Sequence, residues 1–326
     1  MRTPFLATGL LLSFMGCAPA FRPTKPDTAA MGGMVDAMKM AALSGQAQSE
    51  AQRACEPLLH TETRWEEERA IGKTLAVMLV AKAGHLFLDS TSSDGGKNAL
   101  SAYVAIVGKN LARLSSRPDL PWVFGVIEND TPNAFNAPGG YVFVTTGLLK
   151  KVGNEAQLAG ALAHEIGHVV HKHSLAKYRD AKHKQCVAVK YAAYLIEQGG
   201  PPNAMTAQLA RYARNFEAQA DLDRADDGFA SFILSSMMLT QSGNEKEDEL
   251  KTDHTALELV SFAGYDPAEY EKLLTALGPG NGITSSHPPV EERVAALTAL
   301  RQGELKDFAT GAAKPDLASV FAPLGK

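Results

Sequence analysis

The fold of this chain is decided by one stretch near its middle, Leu162-Ala163-His164-Glu165-Ile166-Gly167-His168-Val169-Val170. His164 and His168 are four residues apart, which places both imidazoles on one face of an α-helix, one turn from each other. Two imidazoles so placed can share one tetrahedral Zn²⁺, and the neighbouring Glu165 can accept a proton from water at the metal. The alternative is a helix with two incidental histidines, because the H-E-x-x-H pattern also arises by chance.

The composition predicts a globular protein with a sizeable core. Of the 326 residues, 45% are hydrophobic and 21% are charged, which are ordinary values for a folded domain. The formal net charge is -4 and no cluster of Lys and Arg overrides it, so nucleic acid is excluded as an expected partner. The cysteines form no C-x-x-C pair, and a zinc site built from cysteines is therefore not expected.

The first 16 residues are typical of an export signal. Arg2 is followed by a short apolar run, Phe5 to Phe14, which is too short to span a bilayer. The end of the run resembles a bacterial lipoprotein signal, in which Cys17 becomes the lipidated first residue after cleavage. Plain secretion is the alternative. By resemblance to the sorting pattern, Ala18 in the next position favours the outer membrane.

Residues 17–61 are interrupted by proline and glycine and are predicted to be a flexible tether. Once Cys17 is lipidated, Cys55 and Cys186 remain. Cysteines pair readily in an oxidising periplasm, but sequence does not show whether these two are close. Their pairing stays open at this point.

The pattern from residue 62 to residue 300 predicts an α+β domain that is mostly helical, followed by a weakly patterned tail, 301–326. A β-prone segment at 133–149 contains a Pro-Gly-Gly turn, so a hairpin or two adjacent strands come directly before the motif helix. Asn154 is a suitable start for that helix. Residues 242–253 have the composition of a charged loop, and Val290 begins a last amphipathic helix.

A catalytic zinc needs a third protein ligand. His171 and His173 follow the motif, but on one continuous helix they face away from His164. Among the distant carboxylates, Glu197 lies beside a Gly-Pro loop, whereas Glu217 lies near a helix start. Asp221, one turn further on, is placed to support a zinc histidine. The alternative is that Glu217 and Asp221 are surface carboxylates paired with nearby arginines.

The chain resembles the M48 family of zinc metallopeptidases, in particular the branch of BepA- and LoiP-like periplasmic lipoproteins. The resemblance covers about residues 62–300, and its four matching stretches are Asn133 to Leu149, His164 to His168, Phe216 to Asp221 and Ser286 to Arg293. It implies a zincin-type metalloprotease domain, with a small sheet or hairpin next to the motif helix. It also implies one Zn²⁺ per chain, held by His164, His168 and Glu217.

The last matching stretch resembles a family loop that reaches the active site. It implies that Arg293 or His287 donates to the developing oxyanion, and that His287 can stand over the metal as a gating ligand. The alternative is that the prolines after His287 merely begin the last helix. An edge strand beside the motif helix would bind substrate backbone by β-addition, and the residues predicted to form it are Gly140, Tyr141, Val142 and Phe143. An ordinary interior strand is the alternative there.

The predicted function is a zinc-dependent endopeptidase that cuts unfolded or misassembled envelope proteins, with Glu165 as general base. Its expected place is the periplasmic face of the envelope, where it is attached to the outer membrane through lipid on Cys17. The alternative is a chaperone-like lipoprotein for outer-membrane assembly or quality control that keeps the zinc site but rarely cuts. The intact Glu165 favours the peptidase.

Overall fold

The computed structural model describes residues 43–87, 95–198, 246–278 and 288–308. The chain divides into two compact units, residues 1–46 and 47–326. The described helices of the second unit are α1 (47–55, the part of this helix that belongs to the unit), α2 (Pro57–His60), α3 (Trp65–Ala83), α4 (Gly95–Ala112), α5 (Thr146–Lys151), α6 (Glu155–Val170), α7 (His173–Glu197), α8 (Lys246–Phe262), α9 (Ala268–Leu277), α10 (Val290–Gln302) and a 3₁₀ turn (Lys306–Phe308). None of the described helices is long and apolar enough to cross a membrane.

A small mixed sheet lies beside these helices. Its strands are β1 (His85–Leu86), β2 (Val123–Glu128), β3 (Ala134–Ala137) and β4 (Tyr141–Thr145), in the order β1-β2-β4-β3. β2 and β4 are parallel, whereas β3 and β4 form an antiparallel hairpin. Gly139 and Gly140 turn this hairpin with φ of 79° and 97°, values that favour glycine. The mostly helical α+β class with a hairpin before the motif helix is thus confirmed.

The predicted edge strand is wrong. β4, which carries Tyr141, Val142 and Phe143, pairs with β2 on one side and with β3 on the other, while Gly140 belongs to the turn before it. The terminal strand of the described sheet next to the motif helix is β3 instead. The reason is that the chain folds back at the Pro-Gly-Gly turn, so the shorter and more polar strand of the hairpin lies outside.

The motif helix α6 occupies the centre of the core. It begins after Asn154, whose side chain accepts a hydrogen bond from the backbone N–H of Gln157, and nearly all its residues are buried. Two glycines let neighbouring helices approach its backbone. A Cβ at Gly167 would lie 2.9 Å from Cγ2 of Thr252 on α8, and a Cβ at Gly160 would lie 2.6 Å from Cδ2 of Tyr270 on α9. α8 and α9 therefore pack directly against the helix that carries the motif.

An ion pair between a buried glutamate and a partly buried arginine fixes the hairpin turn to the end of α6. Arg117 Nη2 lies 2.8 Å from Glu68 Oε2, and Arg117 Nη1 donates to the carbonyl oxygen of Val169 at 3.2 Å. Glu68 Oε1 accepts the backbone N–H of Gly139 at 3.0 Å. Each group of this pair is hydrogen-bonded on two sides, which compensates for its removal from water. The strand next to the turn is thereby held against the motif helix.

Cys55 and Cys186 form a disulfide, which answers the question that the sequence left open. The two Cα atoms are 5.9 Å apart, and the bond joins the end of α1 to the middle of α7 across 131 residues of chain. Both cysteines are buried. A cross-link across so long a loop removes much conformational freedom from the unfolded chain.

Removing this disulfide is expected to lower the free energy of unfolding by about 2–5 kcal/mol, the usual cost of losing a native disulfide. The measurement is urea denaturation of the purified protein with and without reductant. The control is the double variant Cys55→Ser/Cys186→Ser, whose midpoint should match that of the reduced wild type and ignore reductant. A wild-type midpoint that does not move on full reduction would contradict the expectation.

Candidate metal centre

Two histidines of α6 and one glutamate of α8 converge inside the protein. His164 Nε2 and His168 Nε2 are 3.1 Å apart, and the Glu249 carboxylate oxygens lie 3.5 Å and 3.6 Å from these two nitrogens. All three residues are buried. Ligand atoms about 2.0–2.1 Å from a tetrahedral ion are roughly 3.3 Å apart, and the observed distances are near that value, so the three side chains fit one divalent ion such as zinc.

Glu249 takes the third ligand position that the sequence analysis gave to Glu217. Glu217 and Asp221 lie outside the described residues, as do His287 and Cys17. Two histidines and a carboxylate are a complete protein ligand set for a catalytic zinc, and Glu249 completes it. Glu249 is hard to recognise as a ligand from sequence, because residues 242–253 have the composition of a loop. In the structure, residues from Lys246 onward are already helical.

Asp253, one turn after Glu249 on α8, supports the first histidine. Its Oδ1 lies 2.9 Å from His164 Nδ1, so the histidine donates there and keeps Nε2 as the metal ligand. This is the role that the sequence analysis gave to Asp221. The E-x-x-x-D spacing of four residues is the same in both segments, and local sequence alone does not distinguish them.

Arg293 is fully buried and contacts Asp253 rather than an open cleft. Its Nε and Nη2 donate to the two carboxylate oxygens of Asp253 at 2.8 Å and 2.7 Å, and Nη2 also donates to the Tyr270 hydroxyl at 2.9 Å. Burial alone would raise the pKa of Asp253, but the guanidinium holds that pKa well below its usual range. From sequence, Arg293 or His287 is predicted to donate to the developing oxyanion. The structure instead gives Arg293 the task of keeping Asp253 ionised and in place.

The charge balance of the centre favours a cation. Burial lowers the pKa of His164, and so does the charge of Arg293. The hydrogen bonds to Asp253 and Glu249 outweigh both and raise that pKa to about 9. Two carboxylates thus face the buried imidazole, while one arginine offsets a single charge. The nitrogen and oxygen donors and the excess negative charge both fit a divalent ion such as zinc.

Glu165 lies next to this ligand set without belonging to it. Its side chain is 4% exposed, and Oε2 accepts a hydrogen bond of 2.7 Å from Nδ2 of Asn136 on β3. The edge strand of the hairpin therefore contacts the carboxylate of the motif directly. Asn136 is not recognisable from sequence, because no local pattern shows that its side chain meets α6.

The two histidines after the motif do not both face away, as one continuous helix would require. α6 ends at Val170, and Lys172 has a left-handed conformation with φ of 58° before α7 begins at His173. The turn brings His173 Nδ1 to 2.8 Å from His168 Nδ1, whereas His171 Nε2 lies 2.9 Å from the Thr255 hydroxyl. The sequence offers no glycine or asparagine here that would signal the turn.

The sequence matches one protein-family model and is similar to several known proteases. The model of "Peptidase family M48" matches residues 98–301. The chain is 30% identical over 199 residues to the mitochondrial metalloendopeptidase OMA1 of Schizosaccharomyces pombe, covering 59% of this chain and 50% of that protein. It is 26% identical over 203 residues to the beta-barrel assembly-enhancing protease of Escherichia coli, covering 60% of this chain and 38% of that protein. It is 28% identical over 227 residues to protease HtpX of Legionella pneumophila, and this match covers 61% of this chain and 76% of that protein. The match thus spans half or less of the first two relatives.

Proposed function

Because the chain belongs to peptidase family M48, we propose that it is a zinc-dependent endopeptidase that hydrolyses peptide bonds in unfolded or misassembled proteins of the bacterial cell envelope. One observation carries the proposal. His164, His168 and Glu249 form a set of three candidate ligands, and Glu165, which follows His164 on α6, supplies a buried carboxylate outside that set. Three protein ligands leave the fourth position of a tetrahedral ion open, as catalysis requires and a purely structural site does not.

The residues around the site divide the chemistry between them. When bound, a zinc ion supplies Lewis acidity, which acidifies water and polarises a carbonyl group. Glu165 takes the proton from the attacking water and passes it to the leaving amine. Asn136 holds one oxygen of that carboxylate and leaves the other for the proton. Asp253, with Arg293 behind it, keeps His164 in the tautomer that binds metal.

β3 is the strand on which we place the substrate. Thr145 N–H donates to the Asn133 carbonyl, so in the alternating antiparallel pattern the backbone of Asn136 points away from β4. An extended peptide can pair with that edge by β-addition and lie across Glu165. Folded proteins have few free extended segments, which favours unfolded or misassembled chains as substrates.

The proposed location is the periplasmic side of the envelope, with lipid on Cys17 as the membrane anchor. The disulfide between Cys55 and Cys186 supports an oxidising compartment, because disulfides are rare in the bacterial cytosol. One relative is named for enhancing β-barrel assembly, and by analogy we propose envelope proteins as the substrate class.

Globomycin treatment of expressing cells tests the anchor, since it should leave the signal uncleaved if Cys17 is lipidated.

Cleavage of a permanently unfolded protein by the purified full chain tests the proposed activity. We expect reduced casein to be cut, cutting to stop after zinc is removed with a chelator, and cutting to return when zinc is added back. A folded, disulfide-bonded protein such as ribonuclease A should remain intact. A preparation that contains stoichiometric zinc and cuts no unfolded protein would overturn the proposal and favour an assembly factor with little proteolysis.

Asn136→Ala is expected to lower kcat by about tenfold or more, because a hydrogen bond to a charged group contributes roughly 1.5–3 kcal/mol. KM should change little, since the β3 backbone that would bind the peptide is retained. The control is Asn110→Ala, on an exposed part of α4. Peptide-cleavage kinetics and zinc content are measured on the same samples. An unchanged kcat would show that the contact with Glu165 has no part in catalysis.

A further inference from the structure

A histidine outside the ligand set lies against one of the ligands. His173 Nδ1 is 2.8 Å from His168 Nδ1, and both rings are buried, with 7% and 3% of their surfaces exposed. We propose that His173 is a positioning residue that holds His168 in the tautomer and orientation that bind the metal. The proposal rests on the metal-dependent function proposed above.

The hydrogen-bond pattern around the two rings assigns their protons. His168 directs Nε2 toward His164 and Glu249, so its proton must be on Nδ1 when Nε2 binds a metal. That N–H points at His173 Nδ1, which must accept and therefore lacks a proton. His173 then carries its own proton on Nε2, the nitrogen that lies 3.6 Å from Asp248 Oδ1.

Within the described part of the chain, Thr252 is the other polar group close to His173 Nδ1, and it does not compete for this position. Its hydroxyl oxygen is 3.5 Å away, at the limit of a hydrogen bond. The hydroxyl proton is already donated to the backbone carbonyl of Asp248 at 2.8 Å. The lone pair of His173 Nδ1 is consequently left for His168.

The two metal histidines thus have chemically different supports. His164 donates to the carboxylate of Asp253, whose negative charge Arg293 offsets. His168 donates to a neutral imidazole, which fixes the ring but adds no negative charge to the site. A supporting group of this kind orients the metal ligand without further weakening the Lewis acidity of the ion.

The backbone conformation at Lys172 allows the contact between His173 and His168. Lys172 adopts φ 58° and ψ 32°, a left-handed conformation that costs a non-glycine residue energy. The last turn of α6 is closed by the N–H of His171 on the Gly167 carbonyl and the N–H of Lys172 on the Val169 carbonyl. α7 begins directly after Lys172, and its first residue, His173, is the one that touches His168. Strained positions of this kind persist where the surrounding structure needs them.

Two amide substitutions at His173 give a matched test. In His173→Asn the amide oxygen takes the place of Nδ1 and can accept from His168. In His173→Gln the amide extends to the place of Nε2 and leaves the Nδ1 position empty. The control is His171→Ala, which removes the neighbouring half-buried histidine that faces Thr255. Zinc affinity of each purified full-length variant is measured by competition with a chromophoric chelator, and kcat and KM are measured at saturating zinc.

We expect His173→Gln to weaken zinc binding by about 10–100-fold, the usual effect of losing a group that supports a metal ligand. His173→Asn should restore most of the affinity, and His171→Ala should change it by less than about threefold, as ordinary substitutions do. Equal affinities for the Asn and Gln variants, or an equal loss in His171→Ala, would overturn the proposal. Because affinity is read without cleavage, a wild type that binds zinc but cuts nothing would contradict only the proposed function.

Discussion

Glu165→Gln is expected to reduce peptide-bond hydrolysis by on the order of 10²–10⁴-fold, the contribution typical of a general acid–base group. The amide keeps the shape of the carboxylate but cannot take a proton from water. Zinc should stay bound, because Glu165 lies beside the ligand set and contacts Asn136 instead. The measurement is kcat on reduced casein or a fluorogenic peptide, together with the zinc content of the same sample.

The matched control for this variant is Glu247→Gln, which makes the same chemical change at an exposed position of α8. It should cut at the wild-type rate. If Glu165→Gln retained both zinc and full activity, some other group would have to move the proton, and the mechanism proposed for this site would be wrong.

The second large effect is expected at the third ligand. Glu249→Gln should weaken zinc binding by more than the roughly 10–100-fold that loss of a supporting group costs, because it removes a charged ligand itself. The carboxylate is fully buried beside the two histidines, so its neutralisation leaves both imidazoles without the negative charge that faces them. Activity at limiting zinc should fall in parallel with zinc occupancy.

Glu217→Gln distinguishes the structural assignment from the sequence-based one. If Glu249 is the ligand, Glu217→Gln should bind zinc and cleave like the wild type, and so should Glu247→Gln. The reverse pattern, with zinc lost from Glu217→Gln and retained by Glu249→Gln, would restore the prediction made from sequence. Each variant is compared by zinc affinity first, so that altered substrate binding does not enter the result.

The parts of the site that could be predicted are those encoded locally. The spacing of His164 and His168 requires a helix, and the structure has α6 from Glu155 to Val170 with Asn154 as its cap. The last helix is predicted to begin at Val290 and does so. The third ligand depends instead on which distant helix packs on α6. That choice is made by contacts such as Thr252 against Gly167, which no local pattern reveals.

The start of α8 is hard to predict because charged residues dominate it. Three acidic residues, Glu247, Asp248 and Glu249, have the composition of a loop, yet acidic side chains stabilise the first turn of a helix through its dipole. The position of the sheet edge is hard to predict for a related reason. The continuous apolar run of β4 is typical of an interior strand. The short β3, Ala-Phe-Asn-Ala, has weak β-propensity, so its composition gives little sign that a strand covers β4 on that side.

The disulfide also determines how the molecule would respond to mechanical load. Cys55 and Cys186 are the two ends of a covalent loop that contains α3, the whole described sheet and α6. A pull between the N-terminal segment and the part of the chain beyond Cys186 would pass through the sulfur–sulfur bond and bypass that loop. Under such a load, the strands and the helix that carries the two histidines would remain unstretched until the bond was reduced.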